Sequence, residues 1–416
     1  MGTLIERLLA THEVQRLRRV KQLGLASFVY PGAEHTRFAH AIGAAHVMTR
    51  LLARLRERQS GLPRDVQLDD EAVMDAVAAA LLHDLGHGPF SHLYEDALPG
   101  SRPHEDWTHD AILDDGTEVH AALESIGSGM SARVAGMLAG RHRLGYLPSL
   151  VSGPFDVDRA DYLLRDSHAT GVRYGLYDLD WLLASFRLAE RGDDWVVAIE
   201  GRKGLPPIES FFLARYAMYQ QVYHHKATRA GEALIRALFV RLGELLRDGT
   251  AVPGVPVALA RAAVSEQPRL SDFFAMDDAS LLAGMDEWSR SPDVTLSALA
   301  TQVRERRLPK TIPLPEDEPE LWPLAFERAA DVARRAGLRR ELSVWLDVAY
   351  DVAYEEPTDA STAGLFVARK HRPLSRLGDV SFLLAQLRNK RLVRPRLIFD
   401  ARIADAVHPA IDEVLS

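Results

Sequence analysis

The chain has 416 residues, 47% of them hydrophobic and 26% charged, enough length and apolar content to bury a substantial core. Its net charge of -8 argues against a general polyanion-binding surface while leaving room for a local basic pocket. There is no cysteine, which excludes disulfides and thiolate metal sites, so any metal has to be held by His, Asp and Glu.

The opening stretch MGTLIERLLATHEVQ carries charges where a secretory signal needs apolar residues. Glu6 stands where a myristoylation signal needs Ser or Thr. No apolar run approaches the ~20 residues that span a bilayer. These features predict a cytoplasmic protein with no membrane partner. RLRR at 16–19 reads as a solvated helix face rather than a nucleic-acid contact. Helical spacing of apolar residues appears first at 35–58 (HTRFAHAIGAAHVMTRLLARLRER) and next at 70–85 (DEAVMDAVAAALLHDL). Gly86 and Gly88-Pro89 end the second of these abruptly. The same spacing recurs at 158–168, 208–247 and 324–338. Residues 186–200, FRLAE then RGDD then WVVAIE, read as a short β-hairpin. Pro-rich stretches at 250–256 and 308–323 punctuate the second half. Beyond them LSVWLDVAYDVAY, AGLFVARK and RLVRPRLIFD mix β-branched and aromatic residues, which predicts a smaller α+β lobe. The expected fold class is therefore mainly α. A core of residues 1–245 would be followed by a helical and α+β region over 246–416.

Nine of the sixteen histidines lie in the first 110 residues. His83-Asp84 stands at the end of an apolar helix, where the partial negative charge of the helix C-terminus favours a cation. His40 and Asp158, each on another predicted helix, are the natural further ligands, as in metal sites built inside helical bundles. A two-His, two-Asp set suits Fe, Mn, Ni or Zn better than Ca or Mg. A lone His-Asp pair carries little information, but HDLGHGPFSH puts three histidines, two glycines and a proline into ten residues. That composition makes a poor helix and a poor strand, and a site tolerates it.

Six strings then occur in order over about the first 240 residues: QRLRRVKQLG, VYPGAEHTRFAHAIG, LLHDLGHGPFSH, WTHD, DVDRADYLLRDSH and ARYAMYQQVYHHKATR. Through them the chain resembles the HD superfamily. Within it, the resemblance is to the deoxynucleoside triphosphate triphosphohydrolases related to the animal enzyme that joins a sterile-alpha-motif domain to an HD domain. No such extra domain is seen here, and the C-terminal third matches only in general character. The resemblance implies an HD-type helical core in which His40, His83, Asp84 and Asp158 bind the metal. It makes His87 a phosphate-contacting or proton-handling group and His92 the acid for the departing 5′ oxygen. His109 and Asp110 match a His–acidic pair that shapes the proton network around His87. Asp110 replaces a family Glu, and Glu95 a family Asp.

For the substrate, the resemblance implies a triphosphate held by Arg37, Arg159, Arg215 and Lys226, with Gln22 and Asp166 on the sugar 3′-hydroxyl. Tyr162 shares a helical face with Asp158 and Asp166. Tyr223 and Leu23 match a wall that leaves no room for a 2′-hydroxyl. His12, His35, His46 and His104 receive no role. The implied reaction is attack of water at the α-phosphorus, giving a deoxynucleoside and inorganic triphosphate. A divalent transition metal is implied as cofactor, with Mg accompanying the substrate phosphates, and a homo-oligomer as the assembly. The alternative is an HD-type phosphodiesterase or nuclease acting on other nucleotides or single-stranded DNA; a nucleic-acid partner is the less favoured reading.

Overall fold

Small side chains decide how the first long helices pack. In the computed structural model, which describes residues 1–357 and 364–416, helix α1 (Arg37–Glu57) lies against α2 (Asp70–Leu82). Both helices bury small side chains, Ala41 and Ala44 on the first and Ala76, Ala79 and Ala80 on the second. Asp69 caps α2 by accepting from the amide of Ala72 at 2.9 Å, and Asp70 and Glu71 complement the dipole of its first turn. Short helices α3 (His92–Ala97) and α4 (His104–Leu113) follow, and then α5 (Val157–Thr170) crosses α1. Gly43 permits that crossing, since a Cβ there would meet the Asp161 carboxylate at 1.9 Å.

The run expected as one helix over 208–247 is interrupted. Helix α6 (Leu205–Met218) passes into a π-type turn at Tyr219–Tyr223 before α7 (Lys226–Arg247) begins under an N-cap from His225. Apolar spacing continues through the break, so periodicity does not reveal it. A π-turn widens the helix locally and re-aims side chains, often at a functional site. Further on, α8 (Asp278–Trp288) carries a capping box between Asp277 and Ser280.

The strands are β1 (Phe186–Arg191), β2 (Asp194–Glu200), β3 (Lys310–Pro313), β4 (Val344–Val352), β5 (Phe366–Ala368), β6 (Ser375–Arg376) and β7 (Arg391–Phe399). The hairpin read at 186–200 is β1 antiparallel to β2, with Phe186 opposite Ile199. It extends into a sheet of order β1-β2-β5-β6, while the second sheet has order β3-β7-β4. In AGLFVARK, Ala363 lies outside the described residues. One apolar core joins residues from Leu4 to Leu384. A second packs the helices Leu321–Arg335 and Ala404–Leu415 on the strand residues Val344, Leu397 and Phe399. The fold is mainly α, as expected.

RLRR is a solvated face only at Arg18 and Arg19, which are exposed; its first arginine is not. Arg16 is fully buried and donates to the carbonyls of Met276 at 2.6 Å and His87 at 2.8 Å. Burial outweighs the pull of Asp277 and Asp278 and lowers its pKa to about 10. Among the described residues, no helix is long and apolar enough to cross a membrane.

Candidate active site

Helix α2 ends at Leu82, and His83 serves as its C-cap. The turn that follows lies flat on α4: a Cβ on Gly86 would stand 2.1 Å from the carbonyl oxygen of His104. The Gly86 amide donates to Thr108 Oγ1 at 2.9 Å. This anchoring turns His83 and Asp84 toward His40 of α1 and Asp158 of α5. His40 Nε2 lies 3.3 Å from His83 Nε2, 3.0 Å from Asp158 Oδ1 and 3.6 Å from Asp84 Oδ2. His83 Nε2 is 3.4 Å from both Asp84 Oδ1 and Asp158 Oδ1.

The outer partners of the two rings test whether a cation fits. His40 Nδ1 donates to Asp161 Oδ2 at 2.8 Å, and His83 Nδ1 to the carbonyl of Ala80 at 2.9 Å. With those protons placed, both Nε2 lone pairs point at each other and at two carboxylates, which is a donor set for a cation. The acid–base tendencies agree. Burial opposes charge on His40, yet Asp158 and Asp161 outweigh it and push the ring up to about 10. His83, also disfavoured by burial, is carried up to about 9 by Asp84 and Asp158. Burial raises the Asp84 and Asp158 carboxyls, and the surrounding imidazoles and Arg37 more than reverse that. The cluster therefore demands positive charge at its centre, and a borderline divalent cation supplies it with neutral imidazole ligands.

A second group adjoins the first. His87 Nε2 lies 3.3 Å from Asp84 Oδ1, and its Nδ1 lies 3.3 Å from Glu95 Oε1. Burial and the Arg37 guanidinium lower the His87 pKa to about 4. His92 Nδ1 is 3.7 Å from Glu95 Oε2, and Glu95 raises the His92 pKa. His104, which received no role, stacks on His87 with ring centroids 3.7 Å apart and reaches Glu95 Oε1 at 3.2 Å. His109 and Asp110 do not join this network. His109 is 46% exposed in its side chain, and Asp110 pairs with Arg102 at 2.8 Å. His104 stands beside His87, with Glu95 as the carboxylate that both rings meet. His109 instead faces a separate opening of about 490 Å³ that reaches His83, Asp84 and Asp158 from the other side.

The main cavity, also about 490 Å³, has Asp84, Asp158, His87 and His92 at one end. Gln22, Leu23, Tyr162, Asp166 and Tyr223 form its adjoining wall. Asp166 is 1% exposed and fixed by His35 Nε2 at 2.7 Å and by the Tyr223 hydroxyl, which donates at 2.9 Å. His35 is thus a partner of the wall rather than a bystander. Arg37 spans Asp84 and Ser91 and faces the same space. Arg159 and Arg215 line a neighbouring cavity of about 550 Å³. Arg159 is held by Asp156, and Arg215 by Tyr219 and Asp351 at 3.4 Å each. Lys226 is exposed at the start of α7 and lines neither cavity; Arg229, one turn on, lines the main one.

Two non-glycine residues in the loop between His87 and α3 have positive φ, Phe90 at 57° and Ser91 at 60°. Asp278, 3% exposed, holds this loop by accepting from the Phe90 amide and the Lys21 amide, both at 2.9 Å. Asp161, His104, Asp278 and Arg16 are the groups that the sequence does not single out.

Comparison with known proteins places this geometry. Residues 37–165 match the HD domain family model. The uncharacterized protein YwfO of Bacillus subtilis is 34% identical over 352 residues, which cover 85% of this chain and 77% of that protein. The deoxynucleoside triphosphate triphosphohydrolase SAMHD1 of Homo sapiens is 27% identical over 58% of this chain. Its Dictyostelium discoideum homolog is 31% identical over 57% of this chain. The matches span only 43% and 46% of those two enzymes. The crystal structure of a phosphohydrolase from Bacteroides thetaiotaomicron superposes with a TM-score of 0.78 at 27% identity, covering 95% of both chains. With the ligand cluster lying inside the matched segment, the chain belongs to the HD-domain phosphohydrolase family, as a relative of the deoxynucleoside triphosphate triphosphohydrolases.

Proposed function

We propose that this phosphohydrolase cleaves deoxynucleoside triphosphates into a deoxynucleoside and inorganic triphosphate. The observation that carries the reading is the cavity lined both by Asp84 and Asp158 of the two-His, two-Asp cluster and by Gln22, Leu23, Asp166 and Tyr223. Asp166, with His35 and Tyr223 already on it, is a rigid acceptor for a sugar 3′-hydroxyl. The half-buried Tyr223 ring next to it narrows the space for a 2′-hydroxyl. His40, His83, Asp84 and Asp158 would hold the divalent cation, which supplies Lewis acidity to a water and offsets charge on the phosphate. Arg37 places a guanidinium beside Asp84 for the phosphate oxygens. His92 is 65% exposed in its side chain, and Glu95 favours its protonated form, so it donates to the leaving 5′ oxygen. Arg159 and Arg215 act on the far phosphates only if Tyr219 and Asp351, which stand between the two cavities, shift.

The test is to incubate metal-loaded protein with each dNTP and NTP separately and to identify the products by chromatography. Deoxynucleoside plus triphosphate is expected. Nucleoside monophosphate would indicate the phosphodiesterase alternative, and no turnover of any dNTP would overturn the proposal.

A further inference from the structure

We propose that the α7 side of the main cavity reads the nucleobase and selects guanine, with Glu232 as the discriminating group. The inference rests on the proposed function, which sets the deoxyribose against Leu23 and Tyr223. Beyond that wall the cavity is bounded by three elements. Leu23 leads into the 3₁₀ turn Gly24–Phe28, whose Gly24 and Ala26 line one side. Leu93 of α3 lines another, and Thr228 and Glu232 of α7 line the third. Four residues apart, Thr228 and Glu232 share a helical face. Gly231 lies beside them and packs on the turn, since a Cβ there would stand 3.2 Å from Leu25 Cδ1. A flat ring that follows the sugar therefore meets small or apolar surface on two sides and polar groups along α7.

The protein leaves those polar groups with bonds to make. Thr228 is 5% exposed, yet its hydroxyl has no hydrogen-bond partner. A helical Thr commonly returns its hydroxyl to the carbonyl four residues back. Here that carbonyl, of His224, already accepts from Arg396 at 2.9 Å. Glu232 Oε2 accepts from Arg229 at 2.6 Å, and Arg229 is fixed in turn by Asp347. Among the described residues no group donates to Glu232 Oε1. Burial favours the neutral carboxyl, while Arg229 and Arg236 favour the ionised form that accepts.

The four bases differ in what they offer a carboxylate. Guanine presents two adjacent donors, N1–H and the N2 amino group, and a carboxylate has about four lone-pair sites to receive them beside Arg229. Adenine and cytosine present one amino group next to a ring-nitrogen acceptor, whose lone pair repels the carboxylate. Thymine presents one N–H between two carbonyls. Guanine O6, adjoining N1–H, is also an acceptor for the Thr228 hydroxyl. Side chains four apart on a helix stand ~5–6 Å from each other, so both can reach the O6-to-N2 edge of one purine.

The experiment is calorimetric binding to the metal-loaded full-length protein. The probes are deoxynucleoside triphosphate analogues with CH₂ in place of the 5′ oxygen, so the scissile bond is absent. Wild type should bind the guanine compound ~10–100-fold more tightly than the adenine one, the worth of hydrogen bonds to a charged group. The hypoxanthine compound, which keeps N1–H and lacks the amino group, should fall between. Glu232→Ala should erase most of the difference. Glu232→Gln should move it toward adenine, whose amino group and ring nitrogen a Gln amide meets as a pair. A purely structural role for Glu232 would lower all affinities together and leave their ratios unchanged. Equal binding of guanine and adenine by wild type, binding of none of the compounds, or an undiminished guanine preference in both variants overturns the proposal. Guanine-selective binding without turnover of any dNTP would sink the proposed reaction and leave the base selection standing. Turnover of all dNTPs with equal binding would do the reverse.

Discussion

Replacing Asp161 by Ala probes the metal centre without touching a ligand. Asp161 is 8% exposed, and its Oδ2 accepts from His40 Nδ1 at 2.8 Å. Both of its oxygens are also held by Arg165, at 2.8 Å each. Removing the carboxylate frees the His40 ring to rotate and to place its proton on Nε2, the atom that faces the cluster. Loss of such an outer partner typically weakens metal binding ~10–100-fold, equivalent to about 1.4–2.7 kcal/mol. Arg165 is 29% exposed in its side chain and reaches water, so the fold should lose only about 1 kcal/mol. Asp161→Asn should fall between wild type and Asp161→Ala, since its amide oxygen can still accept from His40 Nδ1 and Arg165 Nε while its NH2 group would face Arg165 Nη2. The assay is competition for metal against a chelator of known affinity, with turnover measured again at saturating metal. Expected is a Kd raised at least tenfold with kcat recovered to within a few-fold. A Kd within twofold of wild type in folded Asp161→Ala would show that Asp161 does not orient His40.

Three further outcomes follow from the same geometry. Tyr223→Ala should narrow a preference for dNTP over NTP that we expect to be ~10²-fold in wild type, checked as kcat/KM for dATP and ATP; equal wild-type turnover of the two would refute the crowding argument. Asp278→Ala leaves the buried Phe90 amide unpaired at ~1–3 kcal/mol and frees the half-buried Lys21 amide, and should lower kcat more than it raises KM, with partial recovery in Asp278→Asn. Gly86→Ala forces a methyl into the His104 carbonyl and should destabilise by about 1–3 kcal/mol, read from the denaturant midpoint.

The four candidate ligand residues could be singled out because their chemical types sit in strings whose order is informative: HTRFAH, HDLGH and DVDRADY. Their convergence needs α1, α2 and α5 in one place, and the long apolar-periodic runs foretold those helices. The outer groups were illegible for definite reasons. Asp161 follows Asp158 by three residues in a helix already rich in Asp and Arg, so an Arg165 pair on the helix surface reads equally well. His104 and His109 each precede an acidic residue in HEDWTHD. At 3.6 residues per turn they point ~140° apart, and only the packing of α4 on the Gly86 turn decides which one meets His87. Asp278 lies 188 residues from the amide of Phe90 that it holds, and no local pattern encodes such a distance.

That last contact also bears on where the enzyme can be cut. The segment matched by the HD domain model ends at residue 165, and the stretch shared with the animal triphosphohydrolases is 58% of the chain. Yet the strained Phe90-Ser91 loop is moored by Asp278, and Arg16 is anchored on the carbonyl of Met276. A fragment trimmed to the shared helices would keep every ligand and lose the mooring, leaving Phe90 and Ser91 free to relax to ordinary backbone and carry His92 away from the cavity. Helix α8 thus belongs to the catalytic apparatus although it contributes no atom to the chemistry.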